Sequence, residues 1–259
     1  MTPYTFTPGN LPLLVSIPHA GTQLPPELQG TLTAEAASLP DTDWHLPVLY
    51  DFVKEMGASL LVGHYSRFAI DLNRPLDDQP LYTTATTGLF PETLFNGEPV
   101  FQPGKTPTDN LRQRYKQEIW QPYHQQLEQE LERLTAKFGY VVLYDAHSIA
   151  SVIPRLFEGR LPDINIGTHD GKSCAPAYAD AITQMCAAQE KFTWVVNGRF
   201  KGGYITRHYG DPARQRHAIQ IELAQVNYMT EQPPFDLDTQ KAPALQSLLR
   251  QFLTGISAR

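Results

Sequence analysis

Short apolar, β-branched runs alternate with helical patterns along the chain, the signature of a mostly parallel sheet covered by helices. Strands are expected at 13–17, 59–63, 68–72, 140–144, 193–197 and 218–223. The strongest helical period lies at 108–138, where Leu111, Tyr115, Ile119, Tyr123, Leu127, Leu131, Leu134 and Phe138 recur every three or four residues. Pro122 is expected to kink this helix and Gly139 to stop it. Further helices are expected at 42–56, ending at Gly57, at 175–188 and at 242–253. Between Asn73 and Pro107 the periodicity is weak and Pro, Thr and Gly abound. A connection of that length is either a functional loop or lid, or a tolerated surface insertion. No internal repeat or linker breaks the pattern, so residues 1–259 read as a single α/β domain with a mixed, mostly parallel sheet flanked by helices.

The composition agrees: 41% of the 259 residues are apolar and 19% charged, as in an ordinary globular protein with a sizeable core. Lys and Arg number 21 against 27 Asp and Glu, a net charge of −6, which argues against a broadly basic face for nucleic acid. The 22 prolines are dispersed and stiffen loops rather than marking a low-complexity tract. Cys174 and Cys186 match no metal or redox spacing, and two thiols in so long a chain suggest no disulfide framework and a reducing compartment. The apolar run 11–17 is short and interrupted by Pro12, so neither a signal peptide nor a membrane span is expected. The expected location is cytoplasmic, with no membrane or nucleic-acid partner; the oligomeric state is left open.

Nucleotide, dinucleotide and serine-hydrolase readings lose support because G-x-S-x-G, a phosphate loop, G-x-G-x-x-G and H-E-x-x-H are all missing. What remains is a set of polar groups at the exits of expected strands, where ligands of open parallel sheets bind. His19 follows the first strand in Ser16-Ile17-Pro18-His19-Ala20-Gly21, and His147 follows another in Tyr144-Asp145-Ala146-His147-Ser148. Two imidazoles brought together would supply two of the three protein ligands of a catalytic zinc. The third would come from Asp41-Thr42-Asp43-Trp44-His45, with Asp43 preferred and Asp41, His45 and Glu27 as alternatives; both aspartates also suit a helix N-terminus. Three nitrogen and oxygen ligands accept cobalt, nickel or iron as well as Zn2+. Arg67 and Arg74 flank an apolar run, the second beside Asn73, and a guanidinium fork suits an anionic substrate or a polarised carbonyl, or else a structural pair with Asp71. Glu222 lies in the apolar run 218–224 and is the candidate general base, a buried salt bridge being the alternative. Lys201 and Arg207, in a glycine-containing basic loop, are further candidates for an anion.

Taken together, these segments resemble the N-formylglutamate amidohydrolase (deformylase) family, a branch related to zinc carboxypeptidases and aspartoacylases. The resemblance runs through Pro-His-Ala-Gly at 18–21, Thr-Asp-Trp-His at 42–45, the segment 65–75, Pro-Tyr-His at 122–124, Asp-Ala-His-Ser at 145–148, the segment 200–210 and Ile-Glu-Leu at 221–223. It implies a zinc-carboxypeptidase-like fold and hydrolysis of N-formyl-L-glutamate to L-glutamate and formate in histidine degradation. It also implies that Asn73 and Arg74 bind a substrate carboxylate, that Arg67 polarises the scissile carbonyl, and that Glu222 is base and proton shuttle. One departure matters: carboxypeptidase-like relatives take two ligands from His-x-x-Glu, whereas the third residue after His19 is Thr22. The alternatives are the same machinery acting on an acetyl or succinyl amino acid, or a noncatalytic metal- or carboxylate-binding protein.

Overall fold

The computed structural model describes residues 2–80 and 86–258. Seven strands form one sheet: β1 (Tyr4–Thr7), β2 (Leu13–Ile17), β3 (Ser59–Gly63), β4 (Val141–Ile149), β5 (Ile164–Gly167), β6 (Trp194–Val196) and β7 (Arg216–Ala224). Their order is β1-β3-β2-β4-β7-β5-β6. The four strands from β3 to β7 run parallel, and β1 and β5 pair antiparallel to their inner neighbours. Helices cover both faces, as strands buried on both sides require. They are α1 (Leu46–Leu49), α2 (Val53–Met56), α3 (Asp109–Tyr115), α4 (Gln121–Phe138), α5 (Pro176–Ala187), α6 (Tyr204–Tyr209) and α7 (Ala242–Ser257). Alternate residues of each strand serve the two faces. Leu13, Val15, Ile17, Val142 and Ile219 pack with α5 and α7; Leu14, Val141, Leu143 and Ala218 pack with Tyr123, Leu127, Leu131 and Leu134 of α4.

The expected helix at 108–138 forms with one change. Thr108 caps it, its side chain accepting from the Leu111 amide, and Gly139 ends it in the left-handed region at φ 81°. In between, Lys116–Trp120 is a π-helical segment. It lies just ahead of Pro122, which lacks an amide proton and crowds the preceding turn, so the strain is absorbed by widening the helix.

Two expectations fail and a third needs its end extended. The apolar run 68–72 is buried but lies in turns outside the sheet, because hydrophobicity alone does not separate a strand from any other buried short segment. Residues 42–56 form only the two short helices α1 and α2, since His45 takes the left-handed region at φ 62° and Pro47 stands at the start of α1. Asp41 and Asp43 are therefore not caps of a long helix. The strand expected at 140–144 continues to Ile149, so Asp145, His147 and Ser148 lie within it. The sheet also contains β1 and β5, four residues each and too short to show a period. Within the long connection after Asn73, residues 81–85 lie outside the described residues. Among the described residues, no helix is long and apolar enough to cross a membrane.

His124 links this frame to the turn at 71–74. Its Nε2–H donates to the Leu72 carbonyl at 2.9 Å, and its Nδ1 lies 2.9 Å from the Tyr209 hydroxyl, which donates to it. Burial pushes the imidazole down from its ordinary 6.5 to about 3, against the raising effect of the Leu72 carbonyl. The unfolded chain thus takes up this proton below pH 6.5 while the folded chain refuses it until about pH 3. The stability contributed by neutral His124 is present above pH 6.5 and is lost as pH falls through that window. Nitrogen NMR is expected to show the neutral Nε2–H tautomer down to about pH 4; a protonation midpoint near 6 would contradict this assignment.

Candidate metal centre and anion cavity

At the carboxyl end of the parallel strands, polar side chains from four segments converge on one buried point. His19 follows β2, and its backbone carbonyl accepts from the Asp43 amide at 3.1 Å, which ties the turn before α1 to the strand end. His147 lies in β4, directly opposite Glu222 in the β4–β7 register. His19, Asp43 and His147 each offer one ligand atom within 4.8 Å of the others, so this buried triad can hold a metal ion. The donor chemistry fits. His19 Nε2 lies 2.7 Å from Asp71 Oδ1, which fixes the proton on that nitrogen and leaves Nδ1 as a lone pair; Nδ1 is buried without a hydrogen-bond partner. It faces Asp43 Oδ2 at 4.0 Å, and the same oxygen lies 3.1 Å from His147 Nδ1. A carboxylate holding the distal nitrogen of an imidazole is the usual support for a metal-binding histidine. Asp71 does this for His19, and Asp145 Oδ2 lies 3.2 Å from His147 Nε2.

The electrostatics follow from burial and neighbours. Burial and the Arg67 charge hold His19 below the ordinary histidine value, with Asp71 opposing. For His147 burial acts downward, but Asp145 and Asp43 outweigh it and hold the imidazole well above its usual range. Burial alone would raise Asp43; hydrogen bonding to His147 and the Arg67 charge keep it low. Glu222 is pushed up to about 8, chiefly by burial and further by Asp43, against the pull of His147 and Arg67.

A cavity opens over this cluster, lined by His19, His147, Glu222, Arg67, Asn73 and Arg74 among others. Arg67 Nη2 donates to Asp43 Oδ1 at 2.9 Å and Nη1 lies 3.8 Å from Asp71 Oδ2, while its buried Nε has no partner. Asn73 is a hub. Its Oδ1 accepts from the Ile205 amide at 2.8 Å, and its Nδ2 is 3.0 Å from His147 Nε2. Arg74 is pinned by the Thr87 carbonyl, the Asn73 carbonyl and Thr86 Oγ1.

Other expected residues lie elsewhere. Lys201 pairs with Asp170 at 3.0 Å, Arg207 Nε donates to the Gly202 carbonyl at 2.8 Å, and neither lines the cavity. The alternative ligands are also engaged away from the triad. Asp41 accepts from the Phe95 amide, His45 Nε2 bonds the Phe235 carbonyl, and Glu27 pairs with Arg114 at the surface. Thr22, at the position of the relatives' second ligand, is exposed. Sequence reasoning assigns no role to Asp145, which backs His147, or to Asp71 beneath His19; Arg199, in the basic loop read as able to close over an anion, is not singled out there and lines the cavity. Asp145 and Asp71 stood in the motifs already noted, beside candidate functional residues, and Arg199 stood in the same glycine-containing basic loop as Lys201 and Arg207.

With this geometry established, comparison with known proteins is direct. The chain is 54% identical over 254 residues to the N-formylglutamate deformylase of Pseudomonas aeruginosa, covering 98% of this chain and 96% of that one. It is equally similar to the protein of the same name from Pseudomonas putida, at 54% over 254 residues and covering 98% and 95%. A crystal structure of N-formylglutamate amidohydrolase from Ralstonia eutropha JMP134 superposes with a TM-score of 0.84 at 26% identity, covering 99% and 96% of the two chains. A gene product of Agrobacterium tumefaciens shares the fold at a TM-score of 0.74 and 19% identity, covering 99% and 94%. The sequence model of the N-formylglutamate amidohydrolase family matches residues 11–229, and the chain belongs to that family.

Proposed function

We propose that this protein hydrolyses N-formyl-L-glutamate to L-glutamate and formate, with a divalent metal, Zn2+ in the first instance, held by His19, Asp43 and His147. The observation that carries the activity is the 54% identity to N-formylglutamate deformylases over nearly the whole chain. For the metal, the support is the buried, unpartnered Nδ1 of His19 facing Asp43 Oδ2, and the Nδ1 of His147 on the same oxygen, where a bound cation would replace the proton. The buried aspartates Asp43, Asp71 and Asp145 also outnumber the one buried guanidinium among them, Arg67, and a dication balances the excess. When bound, such a metal lowers the pKa of a coordinated water and polarises a carbonyl oxygen.

The chain's own groups account for the remaining steps. Glu222, poised near neutrality by burial, takes a proton from the attacking water as oxygen adds to the formyl carbon. Arg67, which lines the cavity, offers its guanidinium to the negative charge that develops on the formyl oxygen; Asp43 and Asp71 hold the group from behind, so it is pre-oriented. As the carbon–nitrogen bond breaks, Glu222 returns the proton to the departing nitrogen, which leaves as the amino group of glutamate. Asn73 and Arg74 hold the α-carboxylate of the substrate beside the reacting amide. The substrate is thus a small anionic N-acyl amino acid, attracted to a local cationic wall within a chain of net charge −6.

Formate release from N-formyl-L-glutamate is expected to vanish on thorough chelation and return with Zn2+. N-acetyl-L-glutamate provides the comparison; turnover that persists without metal would overturn the metal assignment. Glu222→Gln is expected to reduce turnover by on the order of 100-fold or more while metal content stays near that of the unaltered protein. Loss of the metal itself would instead make Glu222 a structural residue. A third substitution probes the hub: a Cβ at Gly203 would run into the Asn73 side-chain amide. Gly203→Ala should therefore lower kcat/KM by roughly tenfold or more through displacement of substrate-positioning groups, with thermal unfolding changed by only a few degrees.

A further inference from the structure

We infer that Arg199 reads the side-chain carboxylate of the substrate and so sets the preference for an acidic N-formyl amino acid; this rests on the activity proposed above. The cavity wall carries three guanidiniums, those of Arg67, Arg74 and Arg199, and they are not equivalent. Arg67 is committed to Asp43 and Asp71 beneath the reacting centre. Arg74 adjoins Asn73, and both line the cavity beside His147. That pair suits the α-carboxylate, which is only two bonds from the nitrogen that is released.

Arg199 comes from a separate segment, the turn after β6, and lines the cavity with Leu156 and Phe200. Its Nε donates to the Leu156 carbonyl at 2.7 Å, and its guanidinium carbon is 5.3 Å from the centre of the Phe200 ring. Phe200 in turn packs edge-on against Phe157 at 6.1 Å. These contacts hold the plane of the fork while its stem lies on apolar surface. Apolar walls followed by a guanidinium are the complement of two methylenes followed by a carboxylate, which is the side chain of glutamate. Lys201 and Arg207, the neighbouring cations, are directed to Asp170 and Gly202 and lie outside the cavity lining.

The test compares N-formyl-L-glutamate with N-formyl-L-glutamine, which matches it in shape and keeps the α-carboxylate but lacks the second charge. Arg199→Met is expected to lower kcat/KM for the glutamate substrate by about 100-fold, mainly through KM, and for the glutamine substrate by no more than about threefold. Arg199→Lys should recover part of the preference, and Arg74→Met should weaken both substrates together. Equal losses on the two substrates in Arg199→Met, or no loss on either, would overturn the assignment. Calorimetric titration with L-glutamate and L-glutamine separates this inference from the activity, because it needs no turnover. If the unaltered protein releases no formate yet binds L-glutamate more tightly than L-glutamine, and Arg199→Met abolishes that difference, Arg199 keeps its role and the hydrolytic reading fails. If the unaltered protein binds both equally, the assignment of Arg199 falls.

Discussion

The structure turns on the burial of like charges at one end of a parallel sheet. Asp43, Asp71 and Asp145 are withdrawn from water at the ends of the central strands or in the turns beside them, where an unpaired carboxylate is prohibitively unfavourable. Each is answered locally: Asp43 by Arg67, His147 and the Ser148 amide, Asp71 by His19 and the Asn73 amide, Asp145 by His147 and Thr206. Deleting one partner from such a cluster typically costs about 3–5 kcal/mol, because the other is left buried and uncompensated. The same constraint orients the site. Several of the groups that satisfy the aspartates, His19, His147, Arg67 and Asn73, also line the cavity.

The fold makes this arrangement possible through the nine-residue pairing of β4 with β7. Most strands end where polar residues begin, but these two continue through Asp145, His147 and Glu222, and the ladder satisfies their backbone groups. Their side chains are thereby spaced by strand register rather than by loop conformation, which limits the freedom of His147 and Glu222 relative to each other. The turn carrying Asp71, Asn73 and Arg74 has no ladder to hold it. Its place is taken by His124, which anchors the Leu72 carbonyl, and by the start of α6, whose Ile205 amide holds Asn73. That the buried His124 stays neutral follows from this role, since a charged imidazole there would face a carbonyl and a tyrosine hydroxyl with no carboxylate hydrogen-bonded to it.

The alternation of apolar runs and the period of α4 were readable in the sequence because they arise from local spacing: side chains repeat every two residues on strands and every three or four on helices. His19, Asp43, His147, Arg67, Asn73, Arg74 and Glu222 were recognisable as candidates because each is a polar or charged type next to a strand-forming run or a helix boundary, and the structure brings them to one place. Local spacing failed where a neighbour decided the outcome. The run 68–72 is as apolar as a strand yet finds no partner strand, and the segment 42–56 breaks at His45 and Pro47.

What the sequence by itself determined, then, was the class of fold and the kinds of groups available, since these depend on contacts within a few residues. Only the tertiary structure decided which of those groups meet. Asp43 rather than Asp41, His45 or Glu27 lies between the two histidines because the His19 carbonyl holds its backbone. Arg199 rather than Lys201 or Arg207 reaches the cavity because the turn after β6 directs it there. Charge and residue type are local properties, whereas the direction of a side chain and the burial that shifts its pKa are set by segments distant in sequence, as with Asp71 for His19 and Asp43 for His147.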